Sequence, residues 1–341
     1  MRIAVTGANG FVGRHFVQHA SAAGHDVVAL HRKRSRDASR SLPHPEGVPV
    51  RYADVLDRDA LDRSLLQADC VCHLAAAFSE AHADDDYFRR VNVVGTANVM
   101  TAAHAAGVKR FVYCSTAGIY GKQVPGIVDE THRPQPWNSY ERSKVAAEEE
   151  VRRRAASYGM EYVILRPSQI YGPGDKRLAK LWRNAVRGRF PLFGSGEGRR
   201  HMIYVEDLAE ALLRACTYRN AANHEMIIAG PEATRLRDIL QTLAEVSDRR
   251  SCGPQLPLKP MILLAGVVED VCRLLKVRAP LHRRRMDFYV SDVEFDCRRA
   301  FEVLGWQPQV SLRDGIRRTL EARPEAIATG RLAAEFKAPS G

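Results

Sequence analysis

The chain of 341 residues contains no apolar run that reaches the roughly 18 residues a membrane-spanning helix needs. It is also poor in cysteine. The seven are scattered, five of them (Cys70, Cys72, Cys114, Cys216 and Cys272) in apolar surroundings, and their spacings match no zinc or redox motif. Reduced thiols in a cytoplasmic protein are therefore expected. No second histidine or carboxylate stands at ligand spacing from His73, so no metal is expected in the chemistry. Repeats and low-complexity tracts are lacking. Aromatic residues make up only 7% of the chain. None interleaves with the basic clusters Arg32-Lys33-Arg34, Arg152-Arg153-Arg154, Arg199-Arg200 and Arg283-Arg284-Arg285. Acidic residues number 40 against 51 basic, a formal net charge of +11. Nucleic-acid and anionic-membrane surfaces are built on such charge, but single-strand binders add stacking aromatics between the cations. The clusters are accordingly read as solvated faces with one or two phosphate contacts, and no nucleic-acid partner is expected.

What is present is a composition of 45% hydrophobic and 27% charged residues, neither disordered nor membranous, long enough for one large domain and a smaller one. The opening Arg2-Ile-Ala-Val5 reads as a core strand rather than a signal peptide. It runs into Thr6-Gly-Ala-Asn-Gly-Phe-Val-Gly13 and a helix over 11–23. Gly7 permits the tight turn, Gly10 lets a pyrophosphate approach the backbone, and Gly13 allows helix and strand to pack closely. The helix N-terminus would meet the phosphates with amide groups and positive dipole. Further strands are expected at 27–30, 70–74, 111–114 and 162–165, with helices near 57–67, 87–106 and 139–157. Strand–helix alternation predicts a parallel, doubly wound sheet with right-handed crossovers. Ligands in such sheets sit beyond the strands' carboxyl ends. The glycine turn, Leu74-Ala75-Ala76, Ser115-Thr116 and Arg166-Pro167 all fall there.

Tyr140 and Lys144 carry the chemistry. Four residues apart on a helix, they share a face. A phenol titrates near 10, and lowering it by roughly 3 units needs about 4 kcal/mol of differential interaction, which a close, partly desolvated ammonium can supply. Such a tyrosine exchanges a proton with a substrate hydroxyl or carbonyl.

In these features the chain resembles the extended short-chain dehydrogenase/reductase family, the NAD-dependent epimerase/dehydratase group, over residues 1 to about 320. The resemblance rests on the glycine motif, Asp54-Val55, His73-Leu-Ala-Ala76 and Val91-Asn92-Val-Val-Gly-Thr96. It continues through Cys114-Ser-Thr-Ala-Gly-Ile-Tyr-Gly121, Tyr140 to Lys144, Leu165-Arg-Pro-Ser-Gln-Ile-Tyr-Gly-Pro-Gly174 and Arg200-His-Met-Ile-Tyr-Val-Glu-Asp207. It implies a Rossmann domain over 1–168 and a smaller C-terminal substrate domain over 169–330, with segments near 201–230 returning to the sheet. A loose tail follows over 331–341. It further implies Tyr140 as acid/base, Lys144 as its electrostatic partner and a nicotinamide-ribose contact, and Thr116 as the hydroxyl that orients substrate. Gly7, Asn9, Gly10, Phe11, Val12, Gly13, Leu74, Ala75, Ala76, Pro167 and Ser168 would surround NAD(P). Asp54 and Val55 would meet adenine, and Asn92 would stabilise the central helix. Where NAD-specific members carry an acid after the second strand, this chain has His31 and then Arg32. A carboxylate would repel a 2′-phosphate and Arg32 could pair with it, so NADP is favoured over NAD.

For substrate, the resemblance implies a nucleotide sugar held at its diphosphate by Arg200, although Gln169 replaces an asparagine that commonly contacts that nucleotide. The alternative is an apolar alcohol or ketone, as in hydroxysteroid-dehydrogenase-like and flavonoid-reductase-like members, suggested by the apolar helix over 260–275. Ala117-Gly118 stand where dehydratases carry an acid pair, which argues against dehydration. Epimerase and reductase chemistry both stay open. So does a non-enzymatic nucleotide-sensing or RNA-binding module, although relatives of that kind usually lose the tyrosine or the lysine. A homodimer is expected, and Glu148, Glu149 and Glu150 with the following arginines read as an exposed, salt-bridged helix face.

Overall fold

The computed structural model describes residues 1–32, 44–78, 84–175, 187–250, 253–274 and 289–322, with Leu178, Trp182 and Asn184 between. Lys33, Arg34, Arg283, Arg284, Arg285 and the expected tail over 331–341 lie outside them. Strands β1 (Arg2–Thr6), β2 (Asp26–His31), β3 (Val50–Tyr52), β4 (Cys70–His73) and β5 (Arg110–Cys114) are followed by β6 (Gln123–Val128), β7 (Glu161–Pro167), β8 (Gln169–Tyr171) and β9 (Leu192–Phe193). Then come β10 (Arg199–Tyr204), β11 (His224–Ile228), β12 (Ala233–Arg235), β13 (Gln255–Leu256) and β14 (Asp292–Phe295). Seven of these make a parallel sheet in the order β11-β7-β5-β4-β1-β2-β3. The chain reverses its direction of progress between β1 and β4, and a crevice opens at such a switch point.

Near-continuous apolar strands require cover on both faces. On one face Phe16, Val17 and Ala20 of α1 (Phe11–Ala22) meet Leu208, Ala211 and Leu212 of the helix Val205–Thr217. The other face is covered by α2 (Arg58–Ser64), α4 (Gly95–Ala105) and α5 (Ser139–Tyr158) through Leu61, Val99, Met100, Ala147 and Val151. Before α4, α3 (Asp85–Phe88) and a π-helical turn over Arg89–Val94 extend the expected helix. A second core gathers Tyr171, Trp182, Leu236, Leu243 and Ile316 beside the sheet β12-β10-β8.

The expected strands and helices form with shifts of a residue or two, except at α2, which stops at Ser64. Strand β3 carried no apolar run, because its residues Val50, Arg51 and Tyr52 sit at the sheet's exposed edge.

The acidic face of α5 needs correction. Glu148 is 1% exposed, not solvated. Its carboxylate receives Arg166 of β7 at 3.0 and 2.7 Å and Arg152 at 2.9 Å. Arg166 also pairs with Glu225 of β11 and donates to the Tyr120 hydroxyl at 2.8 Å. Burial disfavours the Arg166 cation, but its bonds to Glu148 outweigh that cost, and its pKa stands above the ordinary value. Arg199 and Arg200 also depart from the solvated reading: Arg199 pairs with Asp292 and Glu294, and Arg200 is 5% exposed. Removing Glu148 leaves the buried Arg166 with Glu225 as its remaining carboxylate partner and without its two closest bonds on α5. Glu148→Gln should therefore cost about 3–5 kcal/mol in denaturant unfolding, whereas the exposed Arg153→Ala should change stability by less than about 0.5 kcal/mol.

Candidate active site

The glycine turn, Leu74 to Ala76, Thr116, Pro167 and Ser168 lie at the carboxyl ends of the seven-stranded sheet or in the segments leaving them, whereas Tyr140 and Lys144 lie on α5, Asn92 in the π-helical turn, Gln169 on β8 and Arg200 on β10. The turn after β1 holds Gly7 at φ +68°, where a Cβ would stand 2.7 Å from the Ala75 nitrogen. A Cβ on Gly13 would stand 2.2 Å from the Gly7 oxygen, and the Gly10 amide donates to that same oxygen at 2.9 Å. Gly7 thus lets the loop after β4, with Leu74 and Ala75, close against the turn, and Gly13 lets α1 begin directly beneath it. Asn9 and Gly10 lead into α1, whose first turn with Phe11 and Val12 has no acidic residue to oppose an anion.

Along the same edge, His31 ends β2. Its Nε2 lies 2.7 Å from Nε2 of His44, so one ring donates to the other, and Tyr52 packs edge-on against it. Burial lowers the pKa of both imidazoles. Arg32 follows, exposed. Asp54 and buried Val55 follow β3; Asp54 accepts from the Leu56 amide at 3.0 Å, and the Val55 carbonyl is held by Asn98. His73 is wholly buried between Thr6 and Thr96, at 2.6 and 3.0 Å, with a pKa lowered to about 3 by burial and by Lys144. It is a core side chain linking β1, β4 and α4.

Asn92 joins the segment after β4 to α5. Its oxygen accepts from the Ala77 amide at 2.7 Å, and its nitrogen donates to the Ala77 carbonyl at 3.0 Å and to Ser143 Oγ at 2.8 Å. Ser143 in turn donates to the Tyr140 carbonyl at 2.6 Å. Helix α5 begins where the Asn138 side chain accepts from the Glu141 amide at 2.9 Å, and the Glu141 carboxylate accepts from the Trp137 amide at 2.7 Å. Tyr140 is half-buried, with the rings of Phe78 and Phe88 edge-on at 4.7 and 6.4 Å. One turn on, Lys144 is 2% exposed; its Nζ donates to the Cys114 carbonyl at 2.6 Å and stands 4.2 Å from the centre of the Tyr113 ring. Burial lowers its pKa to about 8, and nearby Cys114 and Glu148 oppose that fall. The ammonium form still predominates at pH 7.

Thr116 Oγ1 accepts from the Gly118 amide at 3.1 Å, which leaves its proton for another acceptor. Ser115 Oγ and Ser168 Oγ are buried with no hydrogen-bond partner among the described residues. Thr116, Tyr140, Pro167, Ser168, Gln169 and Arg200 all border one cavity of about 530 Å³, within the usual range for a small-molecule site. Arg200 donates from Nη1 to the Arg199 and Ser291 carbonyls, and burial brings its pKa down to about 10. Among the described residues, the apolar helix, which forms over Leu258–Leu274, contributes nothing to this lining.

Phe78, Ser143, His44 and the Glu148–Arg166 pair escaped sequence reasoning. For the last there was a signal: Glu148 lies four residues after Lys144 on the Tyr140 face, and Arg166 is a charge within an apolar strand. His44 gave none, being 13 residues from its partner in sequence.

The cradle where a Cβ would collide, the acid-free helix start and the orphaned hydroxyls of Ser115 and Ser168 fit a dinucleotide. Among the described residues no group of three His, Cys, Asp or Glu could hold a metal, and no helix is long and apolar enough to cross a membrane.

A family model described as the NAD dependent epimerase/dehydratase family matches residues 3–230. UDP-glucose 4-epimerase of Mycolicibacterium smegmatis is 31% identical over 335 residues, spanning 94% of this chain and 98% of that protein. The 2-alkyl-3-oxoalkanoate reductase of Stenotrophomonas maltophilia is 28% identical over 337 residues, spanning 93% and 98%. Among solved structures, MoeE5 in complex with UDP-glucose and NAD matches with a TM-score of 0.75 at 26% identity, covering 95% of this chain and 99% of that one.

Gly13→Ala should weaken dinucleotide binding at least about tenfold, because α1 must shift from the Gly7 carbonyl. Fluorescence titration of reduced cofactor reads the loss; unchanged affinity would detach the cradle from the cofactor.

Proposed function

Because the chain belongs to the NAD dependent epimerase/dehydratase family, and is an NAD-dependent enzyme of that group, we propose that it acts on a secondary alcohol of a nucleotide sugar, with epimerisation as the outcome. The observation that carries the reading is the meeting of Tyr140, Thr116 and Arg200 around one cavity, with Lys144 buried behind. The nicotinamide supplies reversible hydride acceptance. Gly7, Gly10, Gly13, Asn9, Phe11 and Val12 would hold its pyrophosphate, Asp54 and Val55 the adenine, and Leu74, Ala75, Ala76, Pro167 and Ser168 the remainder.

Within this reading Tyr140 moves the proton at the substrate oxygen. Thr116 donates to the same oxygen, its hydroxyl oriented by the Gly118 amide. The Lys144 ammonium, fixed by the Cys114 carbonyl, favours the Tyr140 phenolate. Asn92 positions α5 by way of Ala77 and Ser143. Arg200, at the far wall, would meet the diphosphate with its guanidinium. The likeness to a UDP-glucose 4-epimerase over nearly the whole chain supports this substrate class. A second reading, reduction of an apolar ketone, is favoured by Phe78, Ile170, Val293 and Phe295 along the same cavity and by the likeness to an oxoalkanoate reductase.

Incubating the protein with NAD or NADP and UDP-hexoses, and in parallel with the reduced cofactors and medium-chain oxoacids, and following both by NMR separates the readings. Interconversion of C4 epimers is expected, sensitive to salt and lost in Arg200→Ala; reduction of medium-chain oxoacids without epimerisation would replace the first reading with the second. Tyr140→Phe should keep cofactor binding and lose turnover by several orders of magnitude, because only the ionisable oxygen goes. Lys144→Met should damage both.

We also propose NADP as the preferred cofactor form, with Arg32 reading the 2′-phosphate beside His31. Titration should show NADPH binding at least about tenfold tighter than NADH, a difference of about 1.4 kcal/mol that Arg32→Ala erases. Equal affinities in the parent protein would sink the idea and return Arg32 to a solvated surface residue.

A further inference from the structure

On the basis of the proposed function, we propose that Glu141 determines substrate specificity, its carboxylate accepting a hydrogen bond from a hydroxyl next to the reacting carbon. Glu141 follows Tyr140 on α5 and lines the same cavity as Tyr140 and Thr116, although it is only 9% exposed. Its Oε2 accepts from the Trp137 amide at 2.7 Å and its Oε1 from the Asn138 side-chain amide at 2.8 Å. Those bonds cap the start of α5, a task that an exposed carboxylate performs equally well. Here burial pushes the Glu141 carboxyl up, and the Trp137 and Asn138 amides and Lys122 oppose the rise. A carboxylate offers about four acceptor sites, so each oxygen can take one donor more. Leaving such an oxygen buried and short of partners is unfavourable, and a substrate hydroxyl removes that penalty.

Gly118 shows where the donor would stand. A Cβ on this residue would lie 3.3 Å from Glu141 Oε1 and 3.3 Å from Thr116 Oγ1. The carboxylate and the hydroxyl that orients the substrate oxygen therefore flank one point at the cavity wall, to which Gly118 itself belongs. Gly118 is not held at positive φ, so its backbone does not demand glycine; the missing side chain leaves room for the carboxylate beside Thr116. With the reacting oxygen on Thr116, the substituent on the neighbouring carbon comes within reach of Glu141. On a sugar that substituent is a hydroxyl, a donor. On an oxoacid it is a chain carbon, which cannot donate, or a carboxylate, which Glu141 repels. A vicinal diol is thereby selected over either.

The test compares UDP-glucose with its 3-deoxy analogue, in the parent protein and in Glu141→Gln, with binding and C4 epimerisation followed by NMR. Glutamine keeps the size of the side chain and one capping oxygen. The parent should favour UDP-glucose by at least about tenfold in kcat/KM, and the variant should lose most of that preference. A carboxylate that only caps the helix would lower both substrates alike when replaced. An unchanged ratio in the variant therefore overturns the proposal, as does a parent that treats the two substrates equally. Should the thermal melt show that Glu141→Gln does not fold, Glu141→Asp, which keeps a capping carboxylate but withdraws it by one carbon, takes its place with the same expectation. A parent that neither binds nor converts UDP-hexoses overturns the proposed function and this proposal with it. A parent that epimerises UDP-glucose, with the ratio intact in the variant, overturns this proposal alone.

Discussion

The buried ion pair between Glu148 and Arg166 is the constraint on which the rest of the site depends. Glu148 lies on α5, one turn beyond Lys144 and two beyond Tyr140, so all three share one helix face. Arg166 lies on β7 and reaches Glu225 on the neighbouring β11. Two buried charges are tolerated only in good mutual geometry, so their bonds at 2.7 and 3.0 Å leave α5 little freedom to slide or rotate against the sheet. That register delivers the Lys144 ammonium to the Cys114 carbonyl at the end of β5 and Tyr140 to the cavity rim. A sliding error of one turn, about 5.4 Å, would exchange the positions of tyrosine, lysine and glutamate.

Around that helix, the parallel sheet supplies convergence. Strands β1, β4, β5 and β7 end at one edge, so Gly7, Leu74, Ser115 and Pro167 approach each other although up to 160 residues separate them in sequence. The glycines decide how close the approach can be, since Gly7 and Gly13 stand where a single added carbon would overlap the backbone. Asn92 closes the remaining gap. Its amide satisfies both polar groups of Ala77 and reaches Ser143, a junction that replaces backbone pairing where the loop after β4 leaves the sheet.

Much of this was legible because the signals were local. Strands β1, β4 and β5 read as apolar runs, and the glycine turn announced both itself and α1. Tyr140 and Lys144 were visible as an i, i+4 pair. What escaped depended on partners distant in sequence. Glu148 read as one of three solvated glutamates because a charge run is usually exposed, and only Arg166 and Glu225 together make its burial possible. The pairing of His31 with His44 joins residues 13 apart in sequence that no periodicity relates. The apolar helix was legible as a helix, but its exposure was not, since an apolar stripe usually turns inward.

Lys144 shows what the site costs. Its pKa falls from an ordinary 10.5 to about 8 on burial. A base with a depressed pKa binds fewer protons folded than unfolded between those values, so this residue makes the fold less stable below about pH 8 and ceases to do so as pH rises through 10.5. At neutral pH the deficit is on the order of 3 kcal/mol. The Cys114 carbonyl, the Tyr113 ring and the Glu148 carboxylate limit it without abolishing it. A neutral residue of similar length would remove the deficit and, with it, the buried cation on the Tyr140 face of α5. The fold thus carries a standing destabilisation one helical turn from Tyr140, and the Glu148–Arg166 pair holds the helix in place against it.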